Sequence, residues 1–465
     1  MINRVILFGL VAVIGLIVAL VEPFYGLDTI GHRMLGTFIA ALGAWIIRPG
    51  KGTFTAGTIV ILLGGSFSGL PFTDITNGFA GPSFWLLIPA MFFGYALLKT
   101  GLGKRIVFGL FMNIKPTYGR LMVGWFVVGV IFSLFTPSIA VRFLILTPIA
   151  ALMADACQLE KGSRGRSLMI IAAWTVSIYP GIAWQNGSFF GIVFSTFLPE
   201  GPMSAMATED IWFRVMAPWI PMSLAYLGLL FLVLKPSEPL SIKKDEIIKM
   251  YNNLGPPSIE EKKCMAAFVF LVASLVAAVF LPIDTVQALF ASFIILLVTG
   301  VFDVKDISRG INWDIVLFLG VILGFTHLFG AAGITDWLSP ILAEFLRPIA
   351  ASHFVFVLVL YVIIILLRFL DAAQGFIISA IMAMATPMLY TDFGIHPLVA
   401  LMVFVCGANL FFFRYHQPWI GQVEGLIGDS GWNPKHLTQA SILYMIFAAV
   451  FLVFCVVYWR IVGIL

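Results

Sequence analysis

The chain has 465 residues, of which 61% are hydrophobic and only 11% charged, with a formal net charge of +4. A soluble domain carries about 25% charged residues, so this composition excludes a water-soluble enzyme, a disordered chain and a collagen, and the small net charge gives no reason to expect nucleic acid as a partner. Apolar stretches of about 20 residues recur along the chain, which indicates a polytopic protein of the lipid bilayer.

The first predicted transmembrane helix lies in the segment 1–33. Its apolar run, Ile2 to Val21, is as long as a full span, and no small-residue cleavage site follows before Glu22 and Pro23. These features distinguish it from a secretory signal peptide.

The rest of the chain divides into two halves with the same order of apolar segments. The first half, 34–234, contains scaffold helices at 34–98, interrupted runs at 121–154 and 167–198, and a helix at 211–234. The second half, 264–465, repeats this order with scaffold helices at 264–330, interrupted runs at 353–389 and 397–425, and a helix at 438–464. Related positions are about 230 residues apart, as Gly101 and Gly333 illustrate, which predicts an internal repeat.

The distribution of Lys and Arg orients these segments, because cytoplasmic loops carry an excess of both. The segment 99–120 holds five basic residues and no acid, and the linker 235–263 holds six lysines, so both are expected inside. The loop 199–210 has three acids and no Lys or Arg, which predicts the outside. The halves then enter the membrane from opposite sides, as inverted repeats of secondary transporters do. This places the N-terminus in the cytoplasm and the C-terminus outside a cell (inner) membrane.

Four interruptions define the expected fold. Thr136-Pro137-Ser138 and Asp371-Ala372-Ala373-Gln374-Gly375 interrupt two runs whose arms of about 16 residues reach roughly 24 Å, short of a ~30 Å hydrocarbon core. We therefore favour re-entrant hairpins over pairs of crossing helices. Trp184–Gly187 and Arg414–Trp419 break the other two runs into discontinuous helices. The predicted fold class is an all-α polytopic membrane protein with about 11 transmembrane helices, two re-entrant hairpins and two broken helices.

These four breaks, two from each half, are expected to converge on one site for an anion. Freed N–H groups at the N-termini of half-helices favour negative charge, and intramembrane charges are usually functional. Arg142 has no acid nearby in the sequence and is the best candidate ligand. Arg368 and Asp371 have the spacing of an ion pair along one helix turn. The predicted substrate-binding residues are Ser138, Arg142, Trp184, Gln185, Asn186, Asp371, Gln374, Arg414, His416 and Gln417.

Several stretches resemble the divalent anion/sodium symporter family, within the ion transporter superfamily of elevator-type carriers. Gly78-Phe79-Ala80-Gly81-Pro82-Ser83-Phe84-Trp85, followed by Leu98-Lys99-Thr100-Gly101-Leu102-Gly103-Lys104-Arg105, is similar to the helix that precedes the family's first hairpin. Thr136-Pro137-Ser138-Ile139-Ala140-Val141-Arg142 is similar to the hairpin tip itself. Ser138 and Arg142 are kept there, whereas Ile139 and Ala140 replace the family's Asn and Thr, and the second tip lacks Ser-Asn-Thr altogether.

The resemblance implies a homodimer in which a transport part slides across the bilayer against a scaffold. Gly101 and Gly333 would then act as hinges or as ordinary helix caps. It also implies residual sodium sites near Thr136, Ser138, Asn186, Ala373 and Gln417. Both Asn-Thr pairs are lost and three arginines, Arg142, Arg368 and Arg414, are gained, and their charge would replace sodium as the counter-charge of an anion. This suits exchange or proton coupling, and sodium coupling stays open as an alternative. No other cofactor is expected.

The leading hypothesis is therefore secondary active transport of small organic anions, resembling di- or tricarboxylates, or of inorganic anions. An anion channel and a transport-inactive regulatory protein on the same scaffold are the alternatives. The sequence contains no HExxH, GxSxG or ATP-binding P-loop motif, which argues against an enzyme or an ATP-driven pump.

Overall fold

The computed structural model shows a membrane protein built from helices. It describes residues 2–24, 26–50, 53–136, 138–195, 206, 208–237, 239–240, 244–278, 285–369, 378, 388–413, 416–428 and 431–465. Within these ranges there is no β-strand. The all-α expectation is confirmed at this level.

The α-helices that the structure describes from end to end are numbered α1 to α24 in chain order. Those before the central linker are α1 (Ile2–Leu20), α2 (Thr29–Ile47), α3 (Thr55–Ser68), α4 (Phe72–Ile75), α5 (Asn77–Ala80), α6 (Pro82–Thr100), α7 (Leu102–Phe111), α8 (Tyr118–Phe135), α9 (Ile139–Ala156), α10 (Arg164–Val176), α11 (Phe189–Ser195), α12 (Glu209–Met216) and α13 (Trp219–Val233). The linker and second half contain α14 (Lys244–Asn252), α15 (Ile259–Ala278), α16 (Thr285–Val298), α17 (Val304–Arg309), α18 (Trp313–Ile322), α19 (Phe325–Ala331), α20 (Ile334–Ala350), α21 (His353–Arg368), α22 (Pro397–Ala408), α23 (Pro418–Ile427) and α24 (Pro434–Ile461).

Six helical segments in the described part are long and apolar enough to cross a bilayer, and a seventh appears if α18 and α19, bent by 40°, are counted as one span. Further apolar helices of 10–17 residues, such as α3 and α22, are shorter. The larger number of spans expected from the sequence stays a prediction.

Helix ends follow local side-chain chemistry. Asp28 accepts the Gly31 N–H at 2.6 Å and so caps α2, and Asn312 and Asn433 cap α18 and α24. Gly101 and Gly333, with φ of +81° and +69°, separate α6 from α7 and α19 from α20. Glycine adopts this left-handed conformation without the strain that a β-carbon brings. Gly101 and Gly333 thus mark where the chain changes direction before each hairpin.

The first broken helix breaks earlier than the sequence suggests. α10 ends at Val176, and two 3₁₀ turns, Pro180–Ala183 and Gln185–Gly187, precede α11. The interruption was expected at Trp184–Gly187. Pro180 explains the difference, because proline has no N–H to donate to the carbonyl four residues earlier.

The second broken helix is interrupted between Ala408 and Pro418, where the sequence predicted Arg414–Trp419. Asn409 donates its side-chain Nδ2 to the Val405 carbonyl at 2.9 Å, next to the last backbone bond of α22. Side-chain bonding of this kind offers the backbone an alternative to continuing the helix.

The first hairpin consists of α8 and α9, which flank the tip 136–138 and have 18 residues each. Arms of 18 residues reach about 27 Å, longer than predicted and close to the ~30 Å hydrocarbon core. Length alone therefore does not distinguish a re-entrant hairpin from two crossing helices here, and re-entry stays a prediction. In the second hairpin, α21 is described and most of the rest lies outside the described residues.

Contacts between the halves repeat with the spacing seen in the sequence. The rings of Phe38 on α2 and Phe325 on α19 lie 5.6 Å apart in an edge-on arrangement. The rings of Phe268 on α15 and Phe93 on α6 lie 5.1 Å apart, also edge-on. Phe38 precedes Phe268 by 230 residues and Phe93 precedes Phe325 by 232. Aromatic packing thus joins α2 to α19 as it joins α15 to α6.

Polar and aromatic contacts join the connecting segments at two ends of the molecule. At the end that we call the basic end, Lys99 lies 2.5 Å from Asp306, Arg105 binds Glu261 at 2.9 Å, and Ser167 contacts His436 at 2.9 Å. At the end that we call the opposite end, Phe24 stacks on Trp337 with ring centroids 6.5 Å apart, and Trp459 donates to the Val215 carbonyl at 3.0 Å.

Candidate functional site

The tip of the first hairpin is held by its own hydroxyl groups. Thr136 Oγ1 accepts the N–H of Ser138 at 3.1 Å and donates to the Ala90 carbonyl of α6 at 3.5 Å. Ser138 Oγ accepts the Val141 N–H at 3.4 Å and so caps α9. Both hydroxyls, predicted to bind a ligand, thus also shape the start of α9.

Arg142 is the fourth residue of α9, and its side chain is fully buried. Its Nε, Nη1 and Nη2 atoms have no hydrogen-bond partner among the described residues. A buried charge without partners is costly, because the protein replaces none of the hydrogen bonds that water makes to it. Five N–H donors therefore lie next to the N-terminus of a helix, where backbone dipoles also favour negative charge.

The first broken helix places its backbone against this arginine. A β-carbon built on Gly181 would overlap both Arg142 Nη1 and the Gly187 carbonyl, and would lie 2.9 Å from Ser133 Cβ. Gly187 in turn leaves room for the ring of Trp184. The two glycines therefore allow the Arg142 guanidinium and the Trp184 indole to pack against the same short stretch of backbone. Trp184 Nε1 also has no partner in the part of the chain described.

The second broken helix packs on α9 of the first hairpin and on α10 of the first broken helix. The ring of Trp419 lies 5.6 Å from that of Phe143, the neighbour of Arg142 in the chain. The ring of Phe411 lies 4.8 Å from Trp174 on α10. Gln417 donates Nε2 to the Ala408 carbonyl at 3.2 Å and so closes the break on itself. Breaks from both halves thus contact the first hairpin.

The second hairpin reaches the second break through Arg368, the last residue of α21. Arg368 is fully buried, and its Nη2 donates to the main-chain carbonyl of His416. The His416 ring lies edge-on to Phe369 and Phe413, each at 5.3 Å between centroids. The alternative that Arg368 pairs with Asp371 concerns a residue outside those described, as are Ala373, Gln374 and Arg414.

Not every predicted site residue is shown in contact with Arg142. Asn186 donates Nδ2 to Glu209 at 3.0 Å, at the start of α12. Gln185 is half-buried in the second 3₁₀ turn. The structure therefore brings Arg142 and Trp184 together, and it places His416 and Gln417 in the second break, directly before Trp419 at the start of α23, which packs on α9.

Sequence reasoning missed Gly181, which lies directly against the guanidinium. The available signal was the Pro180-Gly181 dipeptide, because proline ends a helix and glycine permits close backbone approach. Attention to the polar residues at 184–187 placed the break too late. Among the described residues, no group of three or more His, Cys, Asp or Glu side chains has the geometry of a metal site.

The chain is similar in sequence and in fold to known membrane transporters. A family model described as the sodium:sulfate symporter transmembrane region matches residues 3–465. The inner membrane protein YbhI of Escherichia coli is 23% identical over 76% of this chain and 76% of its own. Dicarboxylate transporter 2, chloroplastic, of Spinacia oleracea is 23% identical over 93% of this chain and 78% of its own. The fold also resembles the crystal structure of the Alcanivorax borkumensis YdaH transporter, with a TM-score of 0.57 at 14% identity, over 86% of this chain and 89% of that one.

Proposed function

The chain belongs to the sodium:sulfate symporter family of membrane transporters, and from that premise we propose that it is a secondary active carrier whose substrate anion binds Arg142. The observation that carries this proposal is the buried guanidinium without a hydrogen-bond partner among the described residues. The substrate would be a small organic anion, resembling a di- or tricarboxylate, or an inorganic anion. The relative from spinach is named a dicarboxylate transporter.

The chemistry of Arg142 supports this assignment. A planar guanidinium binds carboxylate and sulfate-like oxyanions through two parallel N–H bonds, and it keeps its charge at any physiological pH. An anion at this position would supply the partner that Arg142 lacks among the described residues and would also face the N-terminus of α9. An oxyanion would therefore be bound most strongly where the first hairpin and the first break meet.

An elevator mechanism with inverted repeats is the second part of the proposal. The Phe38–Phe325 and Phe93–Phe268 contacts, with their common spacing, support two repeats of related packing. Gly101 and Gly333 occupy the same conformation at the joint before each hairpin. The scaffold would comprise α2–α6 and α15–α19, and the hairpins and broken helices would move. The resemblance to the family also carries the proposal of a homodimer, which cross-linking in membranes would test.

We propose that the basic end faces the cytoplasm of an inner membrane. Lys99, Arg105, Arg166 and Lys435 lie in the segments at this end, and cytoplasmic segments are enriched in such residues. The E. coli relative is named an inner membrane protein. The C-terminal end of α24 would then lie outside.

Binding to the purified protein tests the proposal directly. Thermal unfolding would be measured with succinate, citrate, sulfate and a small sulfonate, each with and without sodium. A ligand at about 100 times its Kd stabilises the folded state by about 2.7 kcal/mol. We expect at least one anion to raise the unfolding temperature of the wild type and not that of Arg142→Ala.

Two further variants make the result specific. Arg142→Lys keeps the charge and loses the planar fork, so we expect an intermediate effect. Arg214→Ala removes an exposed arginine that binds Asp210 one turn away, and should leave the ligand effect unchanged. A stabilising effect that persists in Arg142→Ala would contradict the proposed site. No effect from any of the four anions would favour the regulatory alternative.

A further inference from the structure

Two aspartates make equivalent contacts at the two ends of the molecule. Tyr95 on α6 donates its hydroxyl to Asp306 Oδ1 on α17 at 2.9 Å. His327 Nε2 on α19 lies 3.1 Å from Asp74 Oδ1 on α4. Tyr95 and His327 are 232 residues apart, and so are Asp74 and Asp306. Each contact therefore joins a scaffold helix of one half to a short helix of the other half.

Each contact also lies just before a joint in the chain. Tyr95 precedes Gly101 by six residues, and His327 precedes Gly333 by six residues. The two glycines have φ of +81° and +69°, and each begins the connection to a hairpin. An aspartate thus holds the helix that precedes each joint, where the moving and stationary parts of an elevator carrier would meet.

The contact at the basic end is a network of hydrogen bonds to the Asp306 carboxylate. Asp306 Oδ2 lies 2.5 Å from Lys99 Nζ and accepts the Asp303 N–H at 2.7 Å. Burial of Asp306 opposes its ionisation, but these hydrogen bonds and that from Tyr95 outweigh it and lower the pKa of Asp306 below the usual range. This contact will not change over the physiological pH range.

The contact at the opposite end is simpler and more exposed. The His327 and Asp74 side chains are 44% and 29% exposed, and they form an ion pair only when the imidazole is protonated. The elements packed against α19 carry other charged or titratable groups. These are His32 and Arg33 on α2 and Asp336, Glu344 and Arg347 on α20. Within the described ranges, Asp74 is the group at ion-pair distance from His327.

We propose that Asp74 and Asp306 are positioning residues, each of which attaches the helix before one joint to the other half of the chain. His327 makes the attachment through Asp74 depend on the pH at the opposite end. The proposal rests on the proposed transport function. A protonated imidazole bonds a carboxylate about twice as strongly as a neutral donor does. The scaffold is therefore held more firmly when the opposite end is acidic, and anion turnover is faster there.

The two ends offer a matched exchange of side chains. His327→Tyr gives the opposite end the tyrosine–aspartate chemistry of the basic end, and Tyr95→His gives the basic end an imidazole. The His327→Tyr, Tyr95→His and Asp74→Asn variants and the wild type would each be reconstituted in liposomes. The pH would be set separately on each side between about 5.5 and 8. Uptake of radiolabelled succinate and sulfate would be measured against concentration, which separates the maximal rate from the KM.

For the wild type we expect the maximal rate to fall about two- to fivefold as the pH at the opposite end rises, with the KM unchanged, because an exposed pair contributes modestly. His327→Tyr and Asp74→Asn should lose this dependence, and Tyr95→His should acquire one from the basic end. Thermal unfolding of the same proteins across the same pH range gives a second readout. The wild type should lose stability relative to His327→Tyr as the pH rises.

The outcomes separate the two proposals. An unchanged pH profile of both transport and unfolding in His327→Tyr would overturn the role of His327. Loss of transport in Asp74→Asn with a matching loss of folded protein would reduce the aspartate to a purely structural contact. If the wild type transported neither probe, the proposed function would be in question, whereas the unfolding comparison would still decide the His327–Asp74 contact.

Discussion

The guanidinium of Arg142 occupies the space beside Gly181 where any other residue would carry a β-carbon. A helix of the first hairpin and the first broken helix therefore meet through an arginine and a glycine. The arginine is buried, its donors have no partner in the part of the chain that the structure describes, and the glycine lets the backbone of the break approach it. This arrangement makes the position testable from either partner.

Replacing Gly181 with alanine should weaken anion binding. The new methyl group would overlap the Gly187 carbonyl as well as Arg142 Nη1, and the backbone cannot yield as a flexible side chain would. Overpacking of this kind costs about 1–3 kcal/mol, so we expect a lower unfolding temperature and a smaller stabilisation by anions. Thermal unfolding with and without ligand measures both effects.

The matched control is Gly421→Ala in α23, where an added β-carbon meets nothing within 4 Å. Alanine in a helix interior is favoured over glycine, so this variant should be as stable as the wild type or more so. If Gly181→Ala bound anions as the control does, the arginine–glycine contact would not form part of the binding site.

Asp314 caps a helix of the other half, and its removal should destabilise the scaffold. Its carboxylate accepts the backbone N–H groups of Phe54 and Thr55 at 2.9 and 2.8 Å and the Thr55 hydroxyl at 2.6 Å. α3 has no capping side chain of its own. We expect Asp314→Ala to cost about 1–2 kcal/mol, as cap removal does, and Asp314→Asn to cost less.

Unfolding in detergent would measure this cost, with Asp392→Ala as a control because Asp392 is an exposed aspartate of the second half. Equal stability of Asp314→Ala and the control would show that the contact between α3 and α18 contributes nothing measurable.

Glu261 should stabilise the basic end in a pH-dependent way. Its carboxylate binds Arg105 at 2.9 and 3.0 Å and accepts the Ser258 N–H at 2.7 Å. The hydrogen bond from Arg105, opposed by burial and assisted by Ser258, lowers the pKa of Glu261 below its usual 4.5. A lowered folded-state pKa contributes stability above the unfolded-state pKa, and this stability is lost as the pH falls through the folded-state value.

Glu261→Gln should therefore unfold at a lower temperature than the wild type at pH 7, with a loss of about 1–3 kcal/mol. The difference should shrink as the pH falls below 4.5, because the carboxylate of the unfolded wild type then binds protons before that of the folded protein does. Unfolding curves from about pH 3 to 7 test this, and a constant difference across the range would mean that ionisation of Glu261 does not matter.

The sequence predicts features that depend on local residue patterns better than it predicts contacts between distant segments. Apolar runs, turn residues and the spacing of 232 residues predicted helices on either side of both breaks and of the first hairpin tip, because these depend on local patterns. Arg142 was recognised as a ligand candidate because no acid lies near it in the sequence. The family resemblance is confirmed by the match over residues 3–465.

Contacts between distant segments were not predictable in the same way. Asn186 has the polarity of a ligand, yet it pairs with Glu209, which lies 23 residues further along the chain. Gly181 has no functional group, and only the packing of α9 against the break gives it a role. Periodicity identifies which face of a helix is apolar, but it does not state which backbone approaches which side chain.

The last prediction concerns the two joint glycines, Gly101 and Gly333, where a β-carbon has room but the backbone conformation is unfavourable for it. A β-carbon on Gly101 or Gly333 would meet nothing within 4 Å, whereas the φ of +81° or +69° is strained for an L-residue. Alanine at either position should therefore cost about 1–2 kcal/mol of stability, and asparagine, which tolerates this conformation better, should cost less.

If the glycines are also hinges, the effect on transport should exceed the effect on stability. Gly101→Ala and Gly333→Ala would then slow turnover more than Gly50→Ala, a third glycine with positive φ, at 67°, and open surroundings that lies away from both hairpins. Uptake into liposomes, measured beside thermal unfolding of the same preparations, distinguishes the two roles. Equal turnover in all three alanine variants would make the joint glycines helix caps alone, because only a moving joint needs its conformation to change during each cycle.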